Sequence, residues 1–295
     1  MIAGVLLKGY GGFYYVYAED RVWECSLRGR FRVKDQDFLP GDGVEILPED
    51  EDKATIEAVG SRRNVLSRPA IANVDQALLV FAMTSPKPDL NLLDRLLIQV
   101  AEAEIKPIIV FTKLDRYEAA LSAGSEELSI TDVYRQIGYT VFEVSNETGQ
   151  GIEELKAHLV EKVSVLAGPS GAGKSSLFNA LSPGKKLKTG EISLKSKRGR
   201  HTTRHVELMV CAGGLVADTP GFSSLYLPNM KRAELAGYFP EFCERLGQCR
   251  FNSCLHDKEP NCAIKAALET GDISAVRYEH YLIFLQEVIE AERRY

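Results

Sequence analysis

Between residues 76 and 218 the apolar positions fall into two alternating patterns. QALLVFAM (76–83), KPIIVFT (106–112) and VSVLAG (163–168) are apolar runs of strand length, as parallel strands covered on both faces require. LNLLDRLLIQVAEAE (90–104) and GIEELKAHLVEK (151–162) repeat apolar residues at helical spacing. TVFEVS (140–145) and LVADTP (215–220) read as further strands. Strands alternating with helices predict an α/β sheet with helices on both faces. Residues 1–64 differ. GFYYVYA and RVWECSL are short aromatic and β-branched runs, punctuated by YGG, RGR and LPGDGVEIL, which predicts strands separated by turns. Several short strands in so little chain suggest a closed all-β barrel, SH3-like or oligonucleotide-binding. Beyond residue 226 the β pattern gives way to the helical spacing of CAIKAALETG and ISAVRYEHYLIFLQEVIEAERRY. The expected chain is multidomain: a barrel over 1–64, an α/β domain over 65–225 and a small, mainly helical domain over 226–295.

Composition narrows this little. The chain has 295 residues, 45% hydrophobic and 26% charged, so ordinary packed cores are expected. A net charge of −5 argues against a wholly basic nucleic-acid binder and leaves room for local basic patches. No apolar run approaches the roughly 18–20 residues that span a bilayer, and MIAGVLLKGYGGF has no basic leader. A cytoplasmic protein with no membrane partner, monomeric in solution, is expected.

Three local features carry chemistry. GPSGAGKSS places Gly168, Pro169, Ser170, Gly171, Ala172, Gly173, Lys174, Ser175 and Ser176 after a strand and before a helix. This is the phosphate-loop pattern G-x-x-x-x-G-K-[ST] in the context it needs. Its backbone N–H groups cradle phosphates, Lys174 supplies a charge to the β/γ oxygens, and Ser175 offers a hydroxyl to Mg²⁺. DTPG (218–221) ends an apolar strand, so Asp218 can hold Mg²⁺ and Gly221 can offer an N–H to the γ-phosphate. TKLD, residues Thr112, Lys113, Leu114 and Asp115, ends another strand. A carboxylate there accepts hydrogen bonds from N1–H and the exocyclic amine of guanine, whereas adenine would oppose it with a lone pair. Ser145 and Asn146 in VSNETGQG supply the other half of a guanine pocket. Binding of GTP and GDP follows, with ATP as the minority reading. In the third feature, CRFNSCLHDKEPNC, Cys249, Cys254, His256 and Cys262 crowd into 14 residues. Three thiolates and one imidazole suit a closed, structural Zn²⁺. Cys25, Cys211 and Cys243 read as packing.

The base-reading motif precedes the phosphate loop, although the motifs otherwise resemble those of Ras-like GTPases. A circularly permuted GTPase accounts for the order, since function follows where each loop sits in space. The barrel ending in PGDGVEI, the GRHTTRHVEL and VADTPGFSSL segments and the Cys/His cluster together resemble one family across nearly the whole chain, the bacterial ribosome small-subunit-dependent GTPases (RsgA/YjeQ). That resemblance implies an oligonucleotide-binding barrel, a GTPase core and a zinc domain. It also implies hydrolysis of GTP to GDP and phosphate when bound to the 30S subunit, and assistance in late subunit maturation. An RNA-binding assembly module using nucleotide only as a structural ligand is the rival reading. The chain departs from the pattern twice. Thr112 replaces Asn, removing the amide that ties neighbouring loops, and Asn146 stands where Ala is usual. Asn146 can still offer its backbone N–H to the guanine carbonyl.

Phe222 follows DTPG where many GTPases carry a water-orienting Gln. Slow intrinsic hydrolysis is therefore expected, with help from the basic stretch 185–205. There Thr202 and Thr203 can supply a hydroxyl to Mg²⁺, and His201 resembles the family's histidine implicated in hydrolysis. In the barrel, Arg21, Arg28, Arg30, Arg32 and Lys34 lie near Trp23 and Phe31. Such interleaving can track an RNA backbone and stack bases, or it can be a solvated strand face.

Overall fold

The computed structural model describes residues 1–29, 38–67, 69–121, 130–182, 206–218 and 226–293. Five strands, β1 (Ile2–Tyr10), β2 (Phe13–Ala18), β3 (Arg21–Leu27), β4 (Gly43–Pro48) and β5 (Lys53–Val59), close into a barrel. Its order is β1-β2-β3-β5-β4, with only the β3–β5 pair parallel. This settles the barrel as oligonucleotide-binding in type rather than SH3-like. Alternate residues fill the interior, among them Leu6, Val16, Trp23, Cys25, Ile46 and Ile56. The PGDG turn has a physical role here. Asp42 is fully buried, accepts from the Leu39 N–H at 2.8 Å and pairs with Arg62 at 2.6 and 2.9 Å. The barrel exit is thereby fastened to the chain that leaves it. A short hairpin, β6 (Val65–Ser67) with β7 (Ala70–Ala72), leads on to the central sheet.

That sheet has six strands, β8 (Gln76–Ala82), β9 (Lys106–Thr112), β10 (Thr140–Glu143), β11 (Val163–Ala167), β12 (Leu208–Cys211) and β13 (Gly214–Asp218). They run in the order β10-β9-β8-β11-β13-β12, parallel except for β12 at one edge. Every residue of β8 and β11 is buried. Alternation sorts them onto two cores. Leu79, Phe81, Ile109 and Phe111 face α1 (Leu90–Glu102), while Leu78, Val80, Ile108 and Val110 face α4 (Ile152–Leu159) and α5 (Lys174–Leu181). Helices on both faces were expected; the short antiparallel β12 was not. Two further helices, α2 (Leu114–Leu121) and α3 (Ile130–Ile137), connect β9 to β10.

The last part of the chain is helical. It comprises a 3₁₀ turn (Leu235–Tyr238), α6 (Pro240–Cys243), α7 (Ala263–Thr270) and α8 (Ala275–Glu292). Phe239, Phe242, Tyr281 and Phe284 form its aromatic core, which also takes in Ile98 from α1. None of the described helices is long and apolar enough to cross a membrane.

Candidate nucleotide site and metal centre

The phosphate loop runs from the end of β11 into the first turn of α5. Gly168 opens it at φ +131°, and a Cβ there would lie 2.1 Å from the Val80 carbonyl oxygen, so only glycine fits. Ala172 is buried, and Lys174 and Ser175 begin the helix. Lys174 Nζ donates to the Gly168 and Pro169 carbonyls, both at 2.8 Å, so its ammonium lies over the loop. Two strands away, β9 delivers the TKLD segment to the same end of the sheet. Thr112 is fully buried and its hydroxyl donates to the Ala172 carbonyl at 2.5 Å. The tie thought to be lost with the motif's Asn is thus made by Thr112, because the β9 tip comes close enough for a short side chain to reach the phosphate loop. Lys113 strengthens it. With φ +63°, it donates from Nζ to the Gly171 carbonyl at 3.0 Å and to that of Ser85. Burial lowers its pKa, with Arg116 adding to the effect.

Asp115, in the first turn of α2, accepts from the Ser145 hydroxyl at 2.7 Å. That hydroxyl in turn accepts from the Thr148 N–H at 3.2 Å. Ser145 therefore orients the carboxylate, a role the spacing alone does not disclose. The turn carrying Ser145 and Asn146 depends on Gly151 at φ +72°, where a Cβ would meet the Glu143 carbonyl oxygen at 2.2 Å. Sequence reasoning missed Gly151; the TGQG run was its only signal. Asn146 reaches the phosphate loop from this turn: a methyl placed on Gly173 would lie 3.7 Å from Asn146 Nδ2 and 3.3 Å from Thr112 Oγ1.

Asp218 ends β13, which pairs with β11 so that Leu166 and Asp218 are partners across the ladder. His201, Thr202, Thr203 and Gly221 lie outside the described residues. So do Arg30, Arg32, Phe31 and Lys34 of the proposed barrel patch. Arg28 is exposed and paired with Glu57. Trp23 needs correction as a stacking surface. It is 2% exposed, packed in the barrel interior with Nε1 donating to the Ala18 carbonyl at 3.3 Å. Arg21 covers its ring, 3.7 Å from the centroid. The two-residue strand period turns this indole inward, so no base can stack on it.

The cysteine cluster assembles as the spacing suggests. Ligand atoms of Cys249, Cys254, His256 and Cys262 all lie within 4.8 Å of one another. Cys249 Sγ is 3.9 Å from Cys262 Sγ and 3.5 Å from His256 Nδ1, and that nitrogen is 3.4 Å from Cys262 Sγ. Zn–S bonds of about 2.3 Å imply tetrahedral edges of about 3.8 Å, so the cage fits that ion. Burial lowers the His256 pKa, favouring the neutral imidazole that ligates metal. Burial, with the neighbouring Cys249 and Cys262 adding to it, pushes the Cys254 thiol up to about 12. A shared cation reverses that cost by stabilising thiolates. The cage is braced from outside. Tyr278 and Tyr281 donate to the His256 and Leu255 carbonyls at 2.7 and 2.8 Å, and Glu259 accepts from the Leu255 and Asp257 N–H groups.

Known proteins agree with this architecture. Residues 59–228 match the family model of the RsgA GTPase, and residues 3–56 that of the RsgA N-terminal domain. The small ribosomal subunit biogenesis GTPase RsgA of Moorella thermoacetica is 54% identical over 293 residues, 99% of each chain. Its counterpart from a Geobacillus species is 48% identical over the full length of both. Among solved structures, the circularly permuted GTPase YloQ superposes with TM-score 0.79 at 39% identity, covering 99% of this chain and 96% of that one. YjeQ from Thermotoga maritima gives 0.81 at 36% identity, covering 98% of both. The chain belongs to the RsgA family of circularly permuted GTPases, enzymes that hydrolyse GTP.

Proposed function

We propose that this protein binds the 30S ribosomal subunit during its late maturation and that the subunit stimulates its hydrolysis of GTP. One observation carries the nucleotide half of the reading: hydrogen bonds from Thr112 and Lys113 to Ala172 and Gly171 fasten the base reader and the phosphate loop into a single cleft. Asp115, held by Ser145, takes N1–H and the exocyclic amine of guanine at one end. At the other, the N–H groups of residues 168–176 and Lys174 take the phosphates, with Lys174 exchanging its loop carbonyls for β/γ oxygens. Ser175, Thr202, Thr203 and Asp218 offer the hard oxygen donors that magnesium prefers, and the ion supplies neutralisation of phosphate charge. Phe222 has no polar group to orient water, so the water-positioning role falls to His201.

Arg28, at the end of β3, and Arg30 and Arg32, which follow it in the chain, contact ribosomal RNA, with the zinc-tied helical unit as a second grip. The zinc ion held by Cys249, Cys254, His256 and Cys262 is structural, because four protein donors leave no open position for chemistry. The names of the curated relatives support the ribosomal role. The protein works in the cytoplasm as a monomer. GTP turnover titrated with purified 30S subunits, compared with 50S, tests the proposal. Turnover should rise with 30S and stay flat with 50S. A flat response to 30S rejects stimulation by the subunit, and no turnover in any condition favours an RNA-binding module that uses nucleotide as a structural ligand.

A further inference from the structure

Two departures from the family's motif pattern fall on opposite sides of the nucleotide cleft, and the structure relates them. Thr112 lacks an amide, and Asn146 has one where Ala is usual. Thr112 makes the tie to the phosphate loop with its hydroxyl, but a hydroxyl already given to Ala172 has no proton left for a base. Asn146 follows Ser145, the residue that holds Asp115, and its amide lies beside Gly173. Its Oδ1 is buried and finds no hydrogen-bond partner among the described residues. A buried polar atom without a partner is uncommon and calls for a reason. Its neighbours Ser145 and Gly149 are fixed by backbone hydrogen bonds of 3.0 and 2.9 Å within the turn, so the amide is not carried on a slack loop.

Guanine's hydrogen-bonding groups show what such an amide can do. Its N1–H and amine face Asp115, and its O6 faces the Asn146 backbone N–H. N7 remains, an acceptor on the edge adjoining O6. The end of the Asn146 amide beside Gly173 is Nδ2, a donor as it stands. We propose that the side-chain amide of Asn146 donates to N7 of the guanine base, making Asn146 a base-contacting specificity residue, while Thr112 keeps the structural tie. This rests on the guanine reading of Asp115 given above.

The experiment uses the full chain and two nucleotides, GDP and 7-deaza-GDP, in which N7 is replaced by C–H. The wild type should bind 7-deaza-GDP about tenfold more weakly than GDP, the scale of one neutral hydrogen bond. Asn146→Ala should bind GDP about tenfold more weakly than the wild type and should no longer distinguish the two nucleotides. Asn146→Asp, which keeps the shape but replaces the donor with an acceptor, should lose GDP more severely than Asn146→Ala. The proposal is overturned if the wild type binds both nucleotides alike, or if Asn146→Ala weakens both equally and so preserves their ratio. Equal affinity of the wild type for GDP and ADP would instead bring down the guanine reading itself, and titrating Asp115→Ala in parallel separates that outcome.

Discussion

Where β1 of the barrel meets β12 at the sheet edge, the contact is apolar. Leu7 joins the core that contains Leu208, and Val5, Tyr15, Tyr17, Val206 and Val210 pack around it. An ion pair on that face, Lys8 with Glu207 at 2.8 Å, is substantially exposed. Where α8 meets α1, apolar packing around Ile98 is joined by a buried ionic set. Asp94, fully buried, accepts from Arg277 at 2.6 Å, from Tyr134 at 2.7 Å and pairs with His280 at 2.6 Å. Arg277 also grips Glu241 at 2.8 and 3.2 Å and stacks over Phe239. Burial acts to lower the Arg277 pKa, yet Asp94 and Glu241 hold it well above the ordinary arginine value. Apolar burial is non-directional, whereas hydrogen-bonded charges accept one arrangement. The helical unit is thus keyed to α1 in a single orientation, whereas at the β1–β12 face the Lys8–Glu207 pair is exposed and constrains the angle less.

The largest effect should come from the metal. Structural zinc contributes on the order of 10 kcal/mol in small domains, and here the cage closes the loop from 249 to 262 that leads into α7. Chelation should abolish the helical far-UV signal of residues 235–292 while leaving GDP affinity nearly intact. An unchanged spectrum and melting curve would remove the metal from the stability argument. Next comes Arg277→Met. It takes the guanidinium from buried Glu241 and leaves Asp94 to Tyr134 and His280, and breaking such a buried pair costs about 3–5 kcal/mol. Denaturant unfolding measures this. Replacing the set with Asp94→Leu, Glu241→Leu and Arg277→Met should recover most of the loss, since apolar substitutes of similar volume are often neutral. If the single and triple variants are equally unstable, the seat is a packing contact and the contrast with the barrel disappears.

How much of this the sequence discloses depends on the range of each interaction. The phosphate loop and the cysteine cage are local, so spacing along the chain is nearly spacing in space. The sheet was legible because β8, β9 and β11 are buried on both faces and read as unbroken apolar runs. The short β12 was not, since four residues at an edge carry no period. Thr112 misled because motif comparison registers the missing amide and cannot see the Ala172 carbonyl within reach. Trp23 misled because spacing cannot tell an open ring from one turned into the barrel with Arg21 lying over it. The Asp94–Arg277 seat joins residues 183 positions apart, which no local pattern reaches. A signal existed nonetheless: Asp94 and Arg95 both fall between buried Leu93 and Leu96 of α1, and a carboxylate buried there needs a cation.

The barrel face should answer more mildly. Leu7→Ala removes a side chain that is 5% exposed and should cost about 2–4 kcal/mol, as large-to-small changes in cores do, read from the same denaturant transitions. Lys8→Ala should be smallest. Its pair with Glu207 leaves both side chains about a third to a half exposed, and exposed pairs contribute about 0–1 kcal/mol and are screened by salt. Lys8 also lies over the Tyr15 ring at 5.1 Å, a contact of similar weight when exposed. Unfolding in low and high salt distinguishes the two seats directly. Raising salt should erase the Lys8→Ala difference and leave the Arg277→Met difference almost unchanged, because water and ions reach the first pair and not the second. If salt attenuates both alike, the network around Asp94 is solvated in solution and the helical unit is no more firmly keyed than the barrel.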